Sequence, residues 1–268
     1  MSVSGPATGE TIGLYSDAKA YDILHTPGTA FEVSELERLA GRWVTGQAAR
    51  STPGWLEPAC GTGRYLRVAA GRGIRCVGFD LDPGMVAYAN ATFDRRGLDA
   101  AAFVGDMERF EPGVGRERFT FAFNTINTVR HLASDAAVRR HLADVAGVLR
   151  PGGVYAIGLS LASYGLEFPS EDVWEGTRGS CRVSQTIQYM PGSEGDRWER
   201  VYSHVVVETP SGERHEPSSY ALRTYDFEQW LRVVRGSAME IAASVTPDGV
   251  EREPSAPGYS VFVLRPRA

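Results

Sequence analysis

The sequence predicts an α/β fold that combines a mostly parallel sheet with a small antiparallel insert. Between about Pro53 and Leu161, short apolar runs alternate with longer amphipathic ones, which is the pattern of strand, helix and strand that builds a parallel sheet. A glycine-rich turn at Gly61 and Gly63 follows the first apolar run. After Leu161, strand-like runs are joined by turns without intervening helices, which predicts the insert.

Five strands and their connecting helices are predicted in the parallel region. The strands run from Gly54 to Cys60, Arg75 to Asp80, Ala101 to Gly105, Phe119 to Phe123 and Gly153 to Leu161. The first helix should end near Gly71 or Gly73, because glycine tolerates the left-handed conformation that closes helices. Asp82 and Pro83 fit the cap and first position of the second helix. Ser134 can cap a third, whose apolar stripe comprises Val138, Leu142, Val145 and Leu149.

The insert is predicted to contain three strands, followed by elements that complete the main sheet. Its strands run from Cys181 to Tyr189, Trp198 to Glu208 and Arg214 to Tyr225. In the middle strand, an aromatic and polar face that includes His204 alternates with a mostly aliphatic one, and one face is expected to cover a site. A helix and two strands then run from Asp226 to Val234, Met239 to Val245 and Tyr259 to Leu264. These elements divide the chain into an N-terminal helical segment (1–50), a main domain (51–165 and 226–268) and the insert (166–225).

Composition limits the class of protein. The chain has 268 residues, of which 43% are hydrophobic and 23% charged, enough for a full-size core. A formal charge of −5 argues against nucleic acid as a partner. We find no apolar run near the roughly 20 residues of a membrane span, and no signal peptide at the start of the sequence. We therefore expect a cytoplasmic protein without a membrane partner. The three cysteines are widely spaced, so we expect reduced thiols and no metal site.

The strongest chemical signal is the run from Glu57 to Tyr65, where the first strand turns into the first helix. Gly61 and Gly63 let the backbone bend sharply and approach a ligand at the carboxyl ends of the strands. A dinucleotide fingerprint would carry a third glycine where this chain has Leu66, which disfavours NAD. A phosphate-binding loop would carry Lys followed by Ser or Thr, which disfavours ATP.

Three acidic residues follow three consecutive strands and indicate a nucleoside ligand. The Glu57 carboxylate would repel phosphate but suits a ligand end that bears an amine. Asp80 can accept hydrogen bonds from both hydroxyls of a ribose. Asp106 can accept from an adenine amine, while the amide of Met107 donates to the ring. Each acid alone is more simply explained as a helix cap or a solvated turn, but their combination favours the nucleoside interpretation.

These residues resemble class I S-adenosylmethionine-dependent methyltransferases. The matching motifs are E-P-A-C-G-T-G-R at 57–64, V-G-F-D-L-D-P-G-M at 77–85 and G-D-M at 105–107. The resemblance implies a Rossmann-like seven-stranded sheet with an antiparallel last strand, and S-adenosylmethionine as cofactor. Thr120 departs from the pattern, since many members carry Asp there. The cofactor-binding residues that the resemblance implies are Tyr21, Glu57, Ala59, Gly61, Gly63, Asp80, Leu81, Met85, Asp106, Met107 and Asn124.

Within that family, the layout is similar to the N,N-dimethyltransferases of nucleotide-linked amino sugars. The similarity rests on the insert, the segment from His215 to Trp230 and an aromatic N-terminal segment from Tyr15 to His25 that forms a lid in those enzymes. It implies methyl transfer to an amine or hydroxyl of a small-molecule acceptor, as in secondary metabolism. An O-methyltransferase and a non-catalytic cofactor-binding protein are the alternatives. Exposed strand edges of the insert further suggest a homodimer.

Two residues are predicted to be catalytic. His131 follows the fourth strand at the mouth of the expected site and is the candidate base, since its ordinary pKa near 6.5 suits proton transfer. Tyr15 is expected near the sulfonium, where an aromatic face tolerates a cation. The plainer alternatives are that His131 caps or packs a helix, and that Tyr15 and Tyr21 fasten the N-terminal helix to the sheet. His141 is predicted on the polar side of its helix.

Overall fold

The computed structural model describes Gly13, residues 17–110 and residues 119–267. The main sheet consists of β1 (Gly54–Pro58), β2 (Arg75–Asp80), β3 (Ala100–Val104), β4 (Phe119–Asn124), β5 (Leu149–Leu161), β10 (Met239–Val245) and β11 (Gly258–Pro266). Across the sheet the order is β10-β11-β5-β4-β1-β2-β3, and β11 runs antiparallel to both of its neighbours. The predicted seven-stranded, mostly parallel sheet is therefore confirmed.

Helices contribute to two apolar clusters of this α/β domain. The helices are α1 (Ala18–His25), α2 (Thr29–Trp43), α3 (Gly46–Ala49), α4 (Arg64–Gly71), α5 (Pro83–Arg96), α6 (Asp135–Val148) and α7 (Phe227–Arg235). Side chains of α6 and α7 belong to one cluster, and those of α2, α4 and α5 to the other. As predicted, Asp82 and Ser134 cap their helices through their side chains, and Asp226 caps α7 in the same way. Among the described helices, none has both the length and the apolar character needed to cross a membrane.

Several strand boundaries differ from the prediction, among them those of β1 and β5. β1 ends at Pro58 rather than Cys60, because Ala59 already adopts a left-handed φ of 52°. β5 begins at Leu149 rather than Gly153. The Arg-Pro-Gly-Gly run at 150–153 therefore belongs to β5. The pairing of β5 with β4 is irregular near this run, because the register shifts between Phe119 and Phe121.

The insert forms a second sheet of four antiparallel strands. They are β6 (Ser170–Arg178), β7 (Cys181–Met190), β8 (Trp198–Thr209) and β9 (Gly212–Arg223), paired in chain order. The antiparallel insert is confirmed, but it has one strand more than predicted. β6 escaped prediction because it is an edge strand whose residues are mostly exposed, so its sequence carries no clear apolar alternation.

The aliphatic face of this sheet points inward. Val183, Val205 and Val207 pack against Ile23 and neighbouring residues of α1. The opposite face is exposed, including His204, whose Nε2 lies 3.0 Å from Nδ1 of a second histidine on β9. The aromatic and polar face that includes His204 is therefore the one that points away from α1. We call the side that carries Val205 the inner face of the insert sheet.

Candidate active site

The turn between β1 and α4 uses backbone conformations that favour glycine. Gly61 and Gly63 have φ values of 53° and 66°, in the left-handed region. A Cβ at Gly63 would lie 2.5 Å from Cζ of Phe93, so the turn packs closely against α5. The chain therefore reverses tightly where β1 ends, at the carboxyl edge of the sheet.

Asp80 holds this turn from the end of β2. Its Oδ2 accepts a hydrogen bond from the Gly61 N–H at 2.8 Å, and its Oδ1 accepts one from the Asp82 N–H at 3.0 Å. Burial raises the pKa of Asp80, and these backbone hydrogen bonds oppose that effect. A carboxylate offers about four acceptor positions. Asp80 therefore keeps acceptor capacity for a ligand diol.

A cavity opens beside the glycine turn. Its walls are residues of α1, β1, the turn, the start of α4 and the segment after β4. They are Tyr21, Glu57, Pro58, Ala59, Cys60, Arg64, Tyr65, Asn124, Thr125, Ile126 and Thr128. The structure thus brings four predicted cofactor residues to one cavity, namely Tyr21, Glu57, Ala59 and Asn124.

Two buried oxygens at this cavity have no hydrogen-bond partner among the described residues. They are Oε2 of Glu57 and Oδ1 of Asn124, whose residues are 6% and 3% exposed. Asn124 Nδ2 donates to the Pro58 carbonyl at 2.9 Å, which fixes the amide. Burial raises the pKa of Glu57 well above its ordinary value, and the nearby Arg64 charge opposes that rise. Because unpaired buried acceptors destabilise a fold, a ligand that donates hydrogen bonds suits this cavity.

Arg64 is a cavity residue that the sequence reasoning did not single out. It is 5% exposed, and its guanidinium carbon lies 3.8 Å from the centroid of the Tyr65 ring. Its Nη1 donates to Thr29 Oγ1 at 2.8 Å and also to Glu32. Glu57, once it ionises, and Arg64 would therefore place opposite charges on one cavity, an arrangement that suits a zwitterion. The available signal was the arginine directly after the glycine turn.

The residues predicted to hold an adenine lie beyond this cavity, after β2 and β3. Leu81 is 70% exposed, whereas Met85 and Met107 are buried. Asp106 is exposed, and its Oδ1 accepts a hydrogen bond from the Glu108 N–H at 2.8 Å. None of the four predicted adenine residues lines the cavity. Their proposed contacts with a base therefore stay predictions.

His141 is fully buried, which corrects its placement on the polar side of a helix. Its Nδ1 lies 2.9 Å from the Met107 carbonyl oxygen, and its Nε2 lies 2.7 Å from the Tyr155 hydroxyl. Because a carbonyl accepts hydrogen bonds but cannot donate them, Nδ1 carries the proton and Nε2 accepts from Tyr155. Burial lowers the pKa of His141 to about 4, so the ring is neutral at pH 7. The helix period alone gave no sign of this contact.

We expect His141→Gln to lower stability and to loosen the backbone at Met107. Loss of the ring leaves a buried carbonyl and hydroxyl poorly paired, at a cost of roughly 1–3 kcal/mol in the free energy of unfolding. Since the pKa of His141 is depressed, its contribution is complete above pH 6.5 and is lost as the pH falls toward about 4. Urea unfolding at pH 7 and pH 5 measures both effects. The exposed variant His204→Gln is the control, and equal stability of the two variants would contradict this role.

Tyr21 lies directly over the glycine turn. A Cβ built on Gly61 would be 3.1 Å from Tyr21 Cε1. Burial, together with nearby acidic charges, raises the pKa of Tyr21, so its hydroxyl stays protonated. The other tyrosine predicted at the site, Tyr15, lies outside the described residues.

His131 ends a short 3₁₀ helix, Thr128–His131, that begins at the cavity wall. Its ring stacks on Tyr220 of β9, with centroids 5.6 Å apart and planes at 25°. Part of the side chain reaches solvent, yet the surrounding protein and the charge of Arg130 lower the pKa of His131 to about 4. His131 therefore lies between the cavity and the insert sheet, and its ring is neutral at pH 7.

Asp22 joins the elements around the site. The residue is 2% exposed and lies on α1. Its carboxylate pairs with Arg67 of α4 at 2.5 Å and with Arg178 of β6 at 2.6 Å. It also accepts hydrogen bonds from Thr62 Oγ1 at 2.8 Å and from the Tyr88 hydroxyl at 3.0 Å. One carboxylate thus connects the N-terminal helix, the glycine turn, α5 and the insert sheet.

The fold and the site together suit a Rossmann-like protein with a nucleoside ligand at the carboxyl edge of its sheet. The cavity residues fit the methionine end of S-adenosylmethionine. The unpaired oxygens of Glu57 and Asn124 can accept from its ammonium group, and the guanidinium of Arg64 supplies charge opposite to its carboxylate.

Comparison with known proteins agrees with this class. Residues 56–153 match the family model of a methyltransferase domain. A dTDP-3-amino-3,6-dideoxy-alpha-D-glucopyranose N,N-dimethyltransferase of Streptomyces fradiae is 27% identical over 228 residues, which are 84% of each chain. The sugar N-methyltransferase KedS8 of Streptoalloteichus superposes with a TM-score of 0.69 at 21% identity, over 99% of both chains. The S-adenosylmethionine-bound amino pentose methyltransferase CalS10 of Micromonospora echinaspora gives 0.63 at 21% identity, over 96% of this chain and 99% of its own.

These similarities support the class that the motifs implied, a class I S-adenosylmethionine-dependent methyltransferase. The match to a methyltransferase domain model supports the interpretation as an enzyme.

Proposed function

We propose that this enzyme methylates the amine of a small amino sugar, with N,N-dimethylation as the specific outcome. The observation that carries the proposal is the extent of the similarity to the Streptomyces fradiae sugar enzyme. The 228 matched residues extend well beyond the methyltransferase domain model at 56–153. The shared region therefore includes parts of the chain outside the cofactor-binding core.

The cofactor residues keep their predicted roles in this proposal. When bound, S-adenosylmethionine supplies a methyl group on a positively charged sulfur. Glu57 accepts from the methionine ammonium, and Arg64 and Tyr21 lie on the side of its carboxylate. Asp80 accepts from the ribose hydroxyls while it holds the glycine turn. The loop that carries Asp106 is proposed to read the adenine edge.

Positioning supplies most of the rate in this mechanism. With the cofactor bound, the residues around the cavity would align the acceptor nitrogen with the methyl group that the cofactor supplies. Alignment of two reactants can lower the barrier by about 7–11 kcal/mol. α1 and the insert sheet are proposed to form the cover that excludes water, and Tyr15 is proposed to lie beside the sulfonium.

His131 is proposed to accept a hydrogen bond from the acceptor amine. A ring with a pKa of about 4 is neutral at pH 7, so its lone pair is available, but it binds a full proton weakly. We expect His131→Ala to lower kcat about 3- to 10-fold, the loss of one hydrogen bond. The decrease should be similar from pH 7 to pH 9.5, and His131→Asn should retain more activity. A loss of about 10²- to 10⁴-fold that alkaline pH restores would instead establish general-base catalysis.

Calorimetric titration with S-adenosylmethionine, followed by product analysis, tests the proposed function. We expect binding of the cofactor, and a mass gain of one or two methyl groups on a nucleotide-linked 3-amino-3,6-dideoxyhexose. The matched control is the same sugar with a hydroxyl in place of the amine. Methylation of the hydroxyl sugar alone would establish the O-methyltransferase alternative. Cofactor binding without turnover of any amino sugar would reject the proposed acceptor.

The predicted homodimer, the cytoplasmic location and the absence of nucleic-acid and membrane partners complete the proposal. Val173 on the edge strand β6 is 62% exposed and Tyr202 on the outer face of the insert sheet is 48% exposed. Both are apolar surfaces that a second copy of the chain would cover.

A further inference from the structure

A group of polar side chains interrupts the inner face of the insert sheet. Gln185, Ser203, Glu216 and Ser218 lie on adjacent strands, and Ser203 is paired directly with Ser218 across β8 and β9. We call these four residues the polar belt. Two apolar clusters flank the polar belt. One cluster contains Val183, Val205 and Val207, and the other contains Ile187, Val201 and Leu222. Two charged residues also lie on this face. Arg214 is paired with Val207 and Glu199 with Leu222, and Arg214 Nε lies 2.7 Å from Glu216 Oε1.

The polar belt has buried hydrogen-bonding capacity that the described protein does not use. Gln185 and Ser203 are each 5% exposed, and Gln185 Nε2 donates to Ser203 Oγ at 2.8 Å. Gln185 Oε1, Ser218 Oγ and Glu216 Oε2 are buried without a partner among the described residues. Apolar residues of the same size would fill this face at lower cost, since each unpaired buried polar group is destabilising. Three such atoms in one place indicate a ligand that pairs with them.

The polar belt adjoins the active site from two directions. Tyr21, a wall of the cavity, packs against the apolar cluster on one side of the polar belt. His131 stacks on Tyr220, which packs against the cluster on the other side. Gly13 also lies against the polar belt, because a Cβ built on it would be 3.5 Å from Ser218 Oγ. A molecule held on the polar belt is therefore placed beside the cavity that binds the methyl donor.

From this arrangement we infer that the polar belt binds the ring hydroxyl groups of the methyl acceptor. An amide oxygen and a carboxylate oxygen accept hydrogen bonds but cannot donate them, and a serine hydroxyl does either. These three groups suit a ligand that donates hydrogen bonds through hydroxyl or ammonium groups, and they disfavour a phosphate. The flanking valine, isoleucine and leucine side chains suit an edge of the ligand ring that lacks hydroxyl groups. The substrate class is a hydroxylated amino ring with an apolar edge. This inference rests on the proposed function and specifies its acceptor.

Substitutions on the two faces of the same strands test the inference. Ser218→Ala and Gln185→Leu remove inner-face groups, whereas Ser219→Ala and Ser184→Ala change their outward neighbours. We expect the two inner-face variants to raise KM for the amino sugar about 3- to 10-fold, with KM for S-adenosylmethionine unchanged. The Tm of Ser218→Ala without acceptor should stay the same or rise, because this variant removes an unpaired buried group and breaks no hydrogen bond of the described residues. A role confined to folding would lower the Tm instead.

A deoxy acceptor, lacking one ring hydroxyl, provides the decisive comparison. For at least one such analogue, loss of the hydroxyl should lower kcat/KM of the wild-type enzyme by the same factor as Ser218→Ala or Gln185→Leu lowers it with the parent sugar. That variant should then have the same kcat/KM with the analogue as with the parent sugar. Two outcomes would overturn this inference while the proposed function stands. One is that the losses in kcat/KM from the substitution and from the missing hydroxyl multiply for every hydroxyl tested. The other is that the inner-face variants have the same KM for the amino sugar as the outward controls. Absence of turnover with any amino sugar would overturn both.

Discussion

Glu57→Gln is expected to weaken S-adenosylmethionine binding about 10- to 100-fold, because a hydrogen bond to a charged group contributes roughly 1.5–3 kcal/mol. The variant keeps the shape of the side chain but removes the charge that pairs with the methionine ammonium. At the same time, the unliganded protein should become more stable near pH 7, because burial disfavours ionisation of Glu57 in the folded state, whereas glutamine carries no such cost. The substitution should therefore weaken cofactor binding, which calorimetry measures, and raise the free energy of unfolding, which urea unfolding measures.

The pH dependence of binding provides a second test of Glu57. Because the pKa of Glu57 is raised, its carboxyl in the free enzyme stays protonated at pH values above 4.5, the ordinary pKa of a glutamate. In that window the stability of the unliganded protein falls with rising pH, whereas cofactor affinity increases as the carboxylate forms. Glu57→Gln should flatten both trends. Glu35→Gln is the matched control, because Glu35 is equally buried and also has an unpaired Oε2, but lies outside the cavity. Equal binding by the two variants would contradict the role of Glu57.

Asp22→Asn should be the most destabilising conservative change near the site, lowering the free energy of unfolding by about 3–5 kcal/mol. It leaves the buried Arg67 guanidinium, 6% exposed, without its opposite charge and weakens the tie to Arg178. Burial alone would raise the pKa of Asp22, but the arginine charges and hydrogen bonds leave it lowered. Its stabilising effect is thus present above the ordinary carboxylate pKa of 3.8 and is lost as the pH falls below it.

Urea unfolding of Asp22→Asn at pH 7 measures this loss directly. The control is Glu240→Gln, which breaks an exposed pair with Arg265 and should cost no more than about 1 kcal/mol. Saturating S-adenosylmethionine should recover part of the stability, since it binds the folded state. A loss for Asp22→Asn no larger than that of the control would show that the four contacts of Asp22 do not hold α1 in place.

The strands of the main sheet could be predicted from the sequence because each is marked by residues next to one another in the chain. The apolar runs of β1, β2 and β4 are short and bounded by turns, so their positions follow from the sequence with shifts of one or two residues. β6 was missed because an exposed edge strand needs no apolar period. The outer and inner faces of β8 both carry apolar residues, so alternation alone did not decide which face would be covered.

The sequence predicted those parts of the candidate site whose residues are close together in the chain. Glu57 and the glycines lie in one continuous motif, so the carboxyl edge of the sheet and the nucleoside cofactor followed from the sequence. Arg64 belongs to the same run, but its burial on the cavity wall depends on partners from α2. Local patterns placed His141 on the wrong side of its helix, because its partners are a loop carbonyl and a hydroxyl on β5.

The sequence by itself determined the class of fold, the tight turn after the first strand and the acidic residues that mark a nucleoside site, because backbone conformation and strand order depend on residues close together in the chain. The tertiary structure decided which face of the insert is covered, which histidine is buried, and how Asp22 joins four distant elements. These features depend on contacts between residues far apart in sequence, where the partner rather than the residue itself determines burial and charge.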